Sequence, residues 1–204
     1  IIDNRINKIG KKAQTSKNKE DLKKFLEYYK NDKPSARNYA LISIGLHTAL
    51  RISDILKLKW KDVYNFEEKA FRSHLSVREQ KTKKWNTIAV NPHLKNALKE
   101  YQATRNPAPE DYIFTRTTNY SEPLSRSQAF RIVRDAARDA LHLENISCHS
   151  LRKTFGYHAW KQGIPPALLM DIYNHSSYRI TKRYLGIDQD ERDDIFLGMD
   201  IVNY

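Results

Sequence analysis

The chain has 204 residues, with 36 lysines and arginines against 24 aspartates and glutamates and a formal net charge of +12. That length supports one substantial domain with an appended arm and leaves little room for two, while the charge points to a polyanionic partner, nucleic acid first. A lone cysteine, Cys148, excludes an internal disulfide and a multi-cysteine metal site and suits a reducing, intracellular setting. No apolar run approaches the roughly 20 residues of a membrane span, and no signal peptide opens the sequence, so a soluble cytoplasmic protein is expected. A first residue of Ile1 rather than Met suggests a piece of something longer.

Residues 1–18 are basic and polar, with Lys8, Lys11, Lys12 and Lys17, and read as a linker or arm. Leu22, Phe25, Leu26 and Tyr29 then fall on one face of a helix. Pro34 opens a second, SARNYALISIGLHTAL, apolar on several faces and therefore expected to be central and buried; it delivers the chain to Arg51. A short helix is expected to start at Ser53, whose hydroxyl can cap the amides that follow. The period then changes. Phe71, Ser73, Leu75 and Val77 alternate with polar neighbours, as do Asn86, Ile88 and Val90, which predicts a hairpin turning at KTKK, with residues 63–66 as a third strand.

Helices resume at NPHLKNALKEYQ, where Asn91 is placed to cap and Pro92 suits the first helical position. RNPAPED breaks the pattern, and a helix follows through Phe130, Val133, Ala137 and Leu141. The next, over 150–161, is ended by Gly163. Pro165 and Pro166 restart a helix toward Asn174, and another covers 177–185. Ile195, Phe196, Met199 and Ile201 form a last apolar group in an acidic tail.

Four places put phosphate-seeking groups at turns or helix starts. In ALRISDIL, Arg51 can offer a planar fork of donors to two phosphodiester oxygens, or can simply pair with Asp54 at the surface. In CHSLRKT, His149 and Arg152 share a helix face, so a group that exchanges protons near neutrality sits beside a fixed charge; a histidine capping the helix start is the plainer reading. Lys81 lies in the turn of EQKTKKW, where an ammonium can be aimed as a proton donor, although Lys83 and Lys84 stand close by and hairpin turns are often lysine-rich. NHSSYRITKRYLGI holds His175 and Tyr184 among Arg179, Lys182 and Arg183. A phenol with an ordinary pKa near 10 needs such cations, or a base, to act as a nucleophile, and most tyrosines are packing residues.

In combination, Arg51, Lys81, His149, Arg152, His175 and Tyr184, in that order, resemble the catalytic set of the tyrosine recombinases, the phage-integrase family. ALRISDIL, KTKK after a strand, HSLRKTFGYH, LLMDIYNHSS and TKRYLGI each look like that family's boxes, over about residues 21–186. The resemblance implies a mainly helical α+β fold, a helical bundle with a small antiparallel three-stranded sheet at one edge. It also implies a catalytic domain over 19–187, preceded by the arm 1–18 and followed by a tail, 188–204. By the same resemblance, Tyr184 would attack a DNA phosphodiester to form a 3′-phosphotyrosyl bond with no metal or cofactor. Arg51 and Arg152 would clamp the non-bridging oxygens, His149 and His175 would hydrogen-bond the phosphate, and Lys81 would protonate the departing 5′-oxygen. Asp54 would orient Arg51.

One departure from the family's usual LLGH is IYNH, with Tyr173 and Asn174 before His175; asparagine tolerates a left-handed backbone, so the turn is expected to survive. The implied partner is double-stranded DNA, bound with an affinity that falls steeply with salt. An intact enzyme would be a homotetramer on two paired duplexes; this piece, without room for the family's N-terminal core-binding domain, would be a monomer. The tail after Gly186 would pack on a neighbouring protomer. A mobile-element or phage integrase is preferred over a chromosome-dimer resolvase. Relaxation of supercoils by a type IB topoisomerase, and a DNA-binding accessory protein without catalysis, are the competing functions.

Overall fold

The computed structural model describes residues 18–185 and 196–199. The expected arm, apart from Asn18, and most of the tail lie outside the described residues. The chain divides into two compact units, Ile1–Phe155 and Gly156–Tyr204, so the expected domain 19–187 spans both.

In the first unit α1 (Lys19–Asn31) starts where the Asn18 side chain accepts from the amide of Glu20 at 2.8 Å. Phe25 and Tyr29 of the expected apolar face are buried, together with Tyr28, and Leu22 and Leu26 pack at the core's edge. Helix α2 (Ala36–His47), capped by Ser35, is central: every residue from Ala40 to Leu46 is buried, as its apolar character on several faces requires. It packs against α1 and against α5 (Pro92–Ala103), while α1 also packs on α6 (Arg126–Leu141). Between α2 and α5 come α3 (Ile52–Ile55), α4 (Trp60–Val63) and four short strands. Asn91 caps α5 by accepting from Leu94 N–H at 2.9 Å, with Pro92 in its first turn, as expected. Trp60, Phe114, Leu41, Ile42, Ile44 and Leu98 are among the fully buried side chains at the centre.

Two expectations are corrected. Ser53 does not cap the short helix: the cap position is Arg51, which makes no side-chain capping bond, and Ser53 lies inside α3. The three-stranded sheet is two separate antiparallel ladders, β1 (Tyr64–Asn65) with β2 (Ala70–Phe71) and β3 (His74–Arg78) with β4 (Trp85–Ala89). The alternation from Phe71 to Val77 is continuous in sequence, but the backbone bends at Ser73. Arg72 N–H donates to Val63 and Ser73 carbonyl accepts from Val90, each at 2.9 Å, so the two sides of the bend pair with different partners.

Helix α7 (Cys148–Lys161) begins in the first unit and ends in the second. Its start is tied by Ser147 N–H to the Ser150 hydroxyl at 3.1 Å. One turn on, Leu151 lies so close to Gly45 of α2 that a β-carbon there would stand 2.5 Å from its Cδ1. This close approach sets where Arg152 enters. In the second unit Gly163, at φ +88, ends α7, and α8 (Pro166–Ile172) and α9 (Tyr178–Leu185) pack on each other.

Candidate active site

A hollow of about 440 Å³ in the first unit is lined by Arg51, Lys81, Arg126, His149 and Arg152, along with Leu50, Ile52, Ser53, Gln80 and Cys148. Four of the six expected site residues therefore meet at one basic concavity, although they come from α3, the β3–β4 turn and α7. The two arginines that the sequence separates line the same hollow.

Each is held differently. At the end of α2 the Thr48 hydroxyl donates to Ile44 carbonyl at 2.7 Å and accepts from Leu50 N–H at 3.3 Å. Between them Ala49 adopts a left-handed φ of +55°, and its carbonyl accepts a hydrogen bond from Arg152 Nη1. The turn that presents Arg51 is thus the same turn that anchors Arg152, which is 2 % exposed. Arg51 itself donates from Nη1 to Glu79, and not to Asp54. Asp54, 2 % exposed, instead accepts from the backbone N–H of Gln80 at 3.0 Å, while the Gln80 side chain donates to Ser53 carbonyl at 2.6 Å. The carboxylate that Arg51 meets is therefore Glu79 and not the expected Asp54, which fastens the lysine turn to α3.

That turn runs from Glu79 to Lys84, closed by Glu79 N–H to Lys84 carbonyl and Lys83 N–H to Glu79 carbonyl, each 2.9 Å. Lys83 takes a left-handed φ of +61°, the usual way a four-residue hairpin loop returns to its strand. Lys81 lines the hollow and Lys83 and Lys84 do not, which separates three lysines that the sequence left equivalent. Partial loss of water at the wall, with the charges of Arg152, Lys153, Arg51 and Lys81, pushes the His149 pKa below its ordinary value. Its neutral form, which can accept a proton, is favoured near pH 7.

In the second unit the other two expected residues come together. The His175 and Tyr184 rings lie edge to face with centroids 5.1 Å apart, and both pack on Tyr173, at 5.1 and 4.9 Å. His175 Nδ1 is 3.0 Å from the hydroxyl of Thr181, which is fully buried in α9. Asn174 takes the left-handed conformation anticipated for it, φ +53°. Tyr173, the other departure from the expected box, is fully buried and forms the wall on which both rings rest.

Sequence reasoning missed Arg126 and Glu79. Arg126 stands in the first turn of α6, at the positive end of a helix, where a cation is unfavourable; that misfit was the available signal. Glu79 continues the inward alternation of Leu75 and Val77 and is fully buried, so period two alone placed a carboxylate inside.

The sequence profile of the phage integrase family matches residues 16–191. The chain belongs to that family. Over 178 residues it is 42% identical to the probable integrase/recombinase YoeC of Bacillus subtilis (strain 168), covering 87% of this chain and 92% of YoeC. The XerH site-specific recombinase, in a crystal structure of its post-cleavage complex with a palindromic difH substrate, aligns with a TM-score of 0.71 at 25% identity over 94% of this chain. The XerA recombinase shares the fold, with a TM-score of 0.72 at 23% identity over 89% of the chain. The chain spans 63% of the XerA chain and 56% of the XerH chain. This integrase-family chain is a tyrosine recombinase catalytic domain by family and fold. No helix among its described residues is long and apolar enough to cross a membrane.

Proposed function

We propose that this chain cuts and rejoins DNA at specific sites by transient attachment of one strand to Tyr184. The phenol oxygen attacks phosphorus, the P–O5′ bond breaks, and a 3′-phosphotyrosyl ester and a 5′-hydroxyl result. His149 takes the phenol's proton and Lys81 gives one to the departing 5′-oxygen. Arg51 and Arg152 hold the non-bridging oxygens and stabilise the added negative charge of the pentavalent transition state, a task that metal ions perform in other phosphoryl-transfer sites. His175 donates a further hydrogen bond to the phosphate. Because the ester retains the energy of the bond it replaced, a new 5′-hydroxyl can reverse the step and exchange strands without ATP.

The observation that carries this reading is the shared hollow: two arginines distant in sequence, a turn lysine and a histidine held below its ordinary pKa line one concavity. Residues 19–187 form the catalytic part. The intact enzyme assembles as a homotetramer on two paired duplexes, the isolated piece is monomeric, and both act in the cytoplasm of a bacterial host. The test is a nicked duplex from which the cleaved end diffuses away. The parent chain is expected to form a DNA adduct that survives SDS, and Tyr184→Phe to form none. An undiminished adduct from Tyr184→Phe overturns the assignment, and sequencing the trapped DNA identifies the site.

A further inference from the structure

Glu79 is a carboxylate with 0% exposure at the inward position that follows β3. Ionised groups are almost never buried so completely unless they are paired. This one accepts from Arg51 Nη1, from the Asn86 side-chain amide at 3.2 Å and from the Thr82 hydroxyl at 3.2 Å. Burial alone would raise its pKa, but the Asn86 hydrogen bond and the Arg51 guanidinium outweigh that and hold it below the usual carboxylate range. Its backbone also closes the lysine turn at both ends, through Lys83 and Lys84. A single residue therefore joins the guanidinium that lines the hollow to the turn that carries Lys81.

We propose that Glu79 is a positioning residue, which anchors one nitrogen of Arg51 and sets the turn so that Arg51 and Lys81 address the same phosphate. The inference rests on the function proposed above and extends it to a residue outside the six. A carboxylate serves better than an amide because its hydrogen bonds to a guanidinium are charge-assisted, roughly twice as strong as neutral ones. Arginine's long side chain otherwise has many rotamers, and a displacement of about 1 Å in a catalytic group can cost on the order of 100-fold in rate.

The experiment is single-turnover adduct formation on the nicked duplex, with Glu79→Gln made in the parent chain and in Arg51→Ala. Glu79→Gln keeps the shape and removes the charge. Glu79→Asp, which keeps the charge and shortens the reach, is the second variant should the first fail to fold. In the parent, Glu79→Gln is expected to slow cleavage by about 100-fold; in Arg51→Ala the same change should cost less than about threefold, because the guanidinium it anchors is gone while the backbone bonds that close the Lys81 turn remain. A merely structural carboxylate would cost the same factor in both backgrounds, and that result, or parent-like cleavage by Glu79→Gln, overturns the inference. A cleavage-independent measurement is the NMR signal of the Arg51 side-chain nitrogens in DNA-free protein. Restricted rotation is expected in the parent and free rotation in Glu79→Gln; unchanged signals overturn the proposal as well. If the parent forms no adduct at all, the proposed function fails and the role of Glu79 in cleavage fails with it, whereas an active parent with an indifferent Glu79 overturns only the latter.

Discussion

Three lysines in one turn have different fates because backbone geometry assigns them. Lys81 lines the hollow, whereas Lys83 holds the left-handed position that returns the chain to β4, at φ +61°. A side chain there carries strain of roughly 1 kcal/mol, against which glycine's greater unfolded-state freedom weighs about half as much. Lys83→Gly is therefore expected to stabilise the fold by about 0.5 kcal/mol and to leave cleavage intact, read by denaturant unfolding and by adduct yield. Lys81→Ala should instead lose cleavage of ordinary DNA and recover on a 5′-phosphorothiolate duplex, whose departing sulfur needs no proton; equal impairment on both substrates would remove Lys81 from the role of acid. The sequence named Lys81 only by resemblance. The alternation of β3 makes Glu79 legible without any.

At the scale of elements, close approach replaces chemistry as the deciding factor. A β-carbon on Gly156 in α7 would collide with the Tyr173 hydroxyl and lie 2.7 Å from Leu185 Cδ2, in the core behind the His175 and Tyr184 rings. Gly156→Ala is expected to destabilise by about 1–3 kcal/mol, the usual cost of overpacking, and to lower adduct yield by displacing Tyr173. A thermal midpoint and adduct yield equal to the parent's would show that the wall yields without consequence. Caps and turns were the most legible elements: Asn91, Pro92, Gly163 and Asn174 behave as their local chemistry predicts. Ser53 did not, because the cap of α3 falls two residues earlier, at Arg51, and one continuous alternation split into two ladders because a bend redirected its hydrogen bonds. Residue pattern registers which face is apolar, not which strand will be the partner.

For the whole molecule, acid should weaken the fold in two stages. Burial lowers the pKa of His47, and partial desolvation and neighbouring cations lower that of His149, both from 6.5. As pH falls below 6.5 the unfolded chain binds those protons more readily, so stability present above 6.5 is lost. Glu79 and Asp139 are likewise held below their ordinary values, 4.5 and 3.8, so a second loss follows as these carboxylates protonate. Urea midpoints measured from pH 7 to pH 4 should fall throughout, and a midpoint that rises between pH 6.5 and 5 would contradict the assignment of the histidines. Helix positions, the buried centre at α2 and the basic balance were contained in the sequence, because periodicity, capping and residue type are local properties, whereas the six candidate site residues were named by resemblance to the family. Which carboxylate holds Arg51, which lysine enters the hollow, and that Arg152 hangs from the carbonyl of Ala49 were decided by the folded chain alone. Those pairings span 28 and 103 residues of sequence, and a contact of that kind exists only after packing has brought its two ends together.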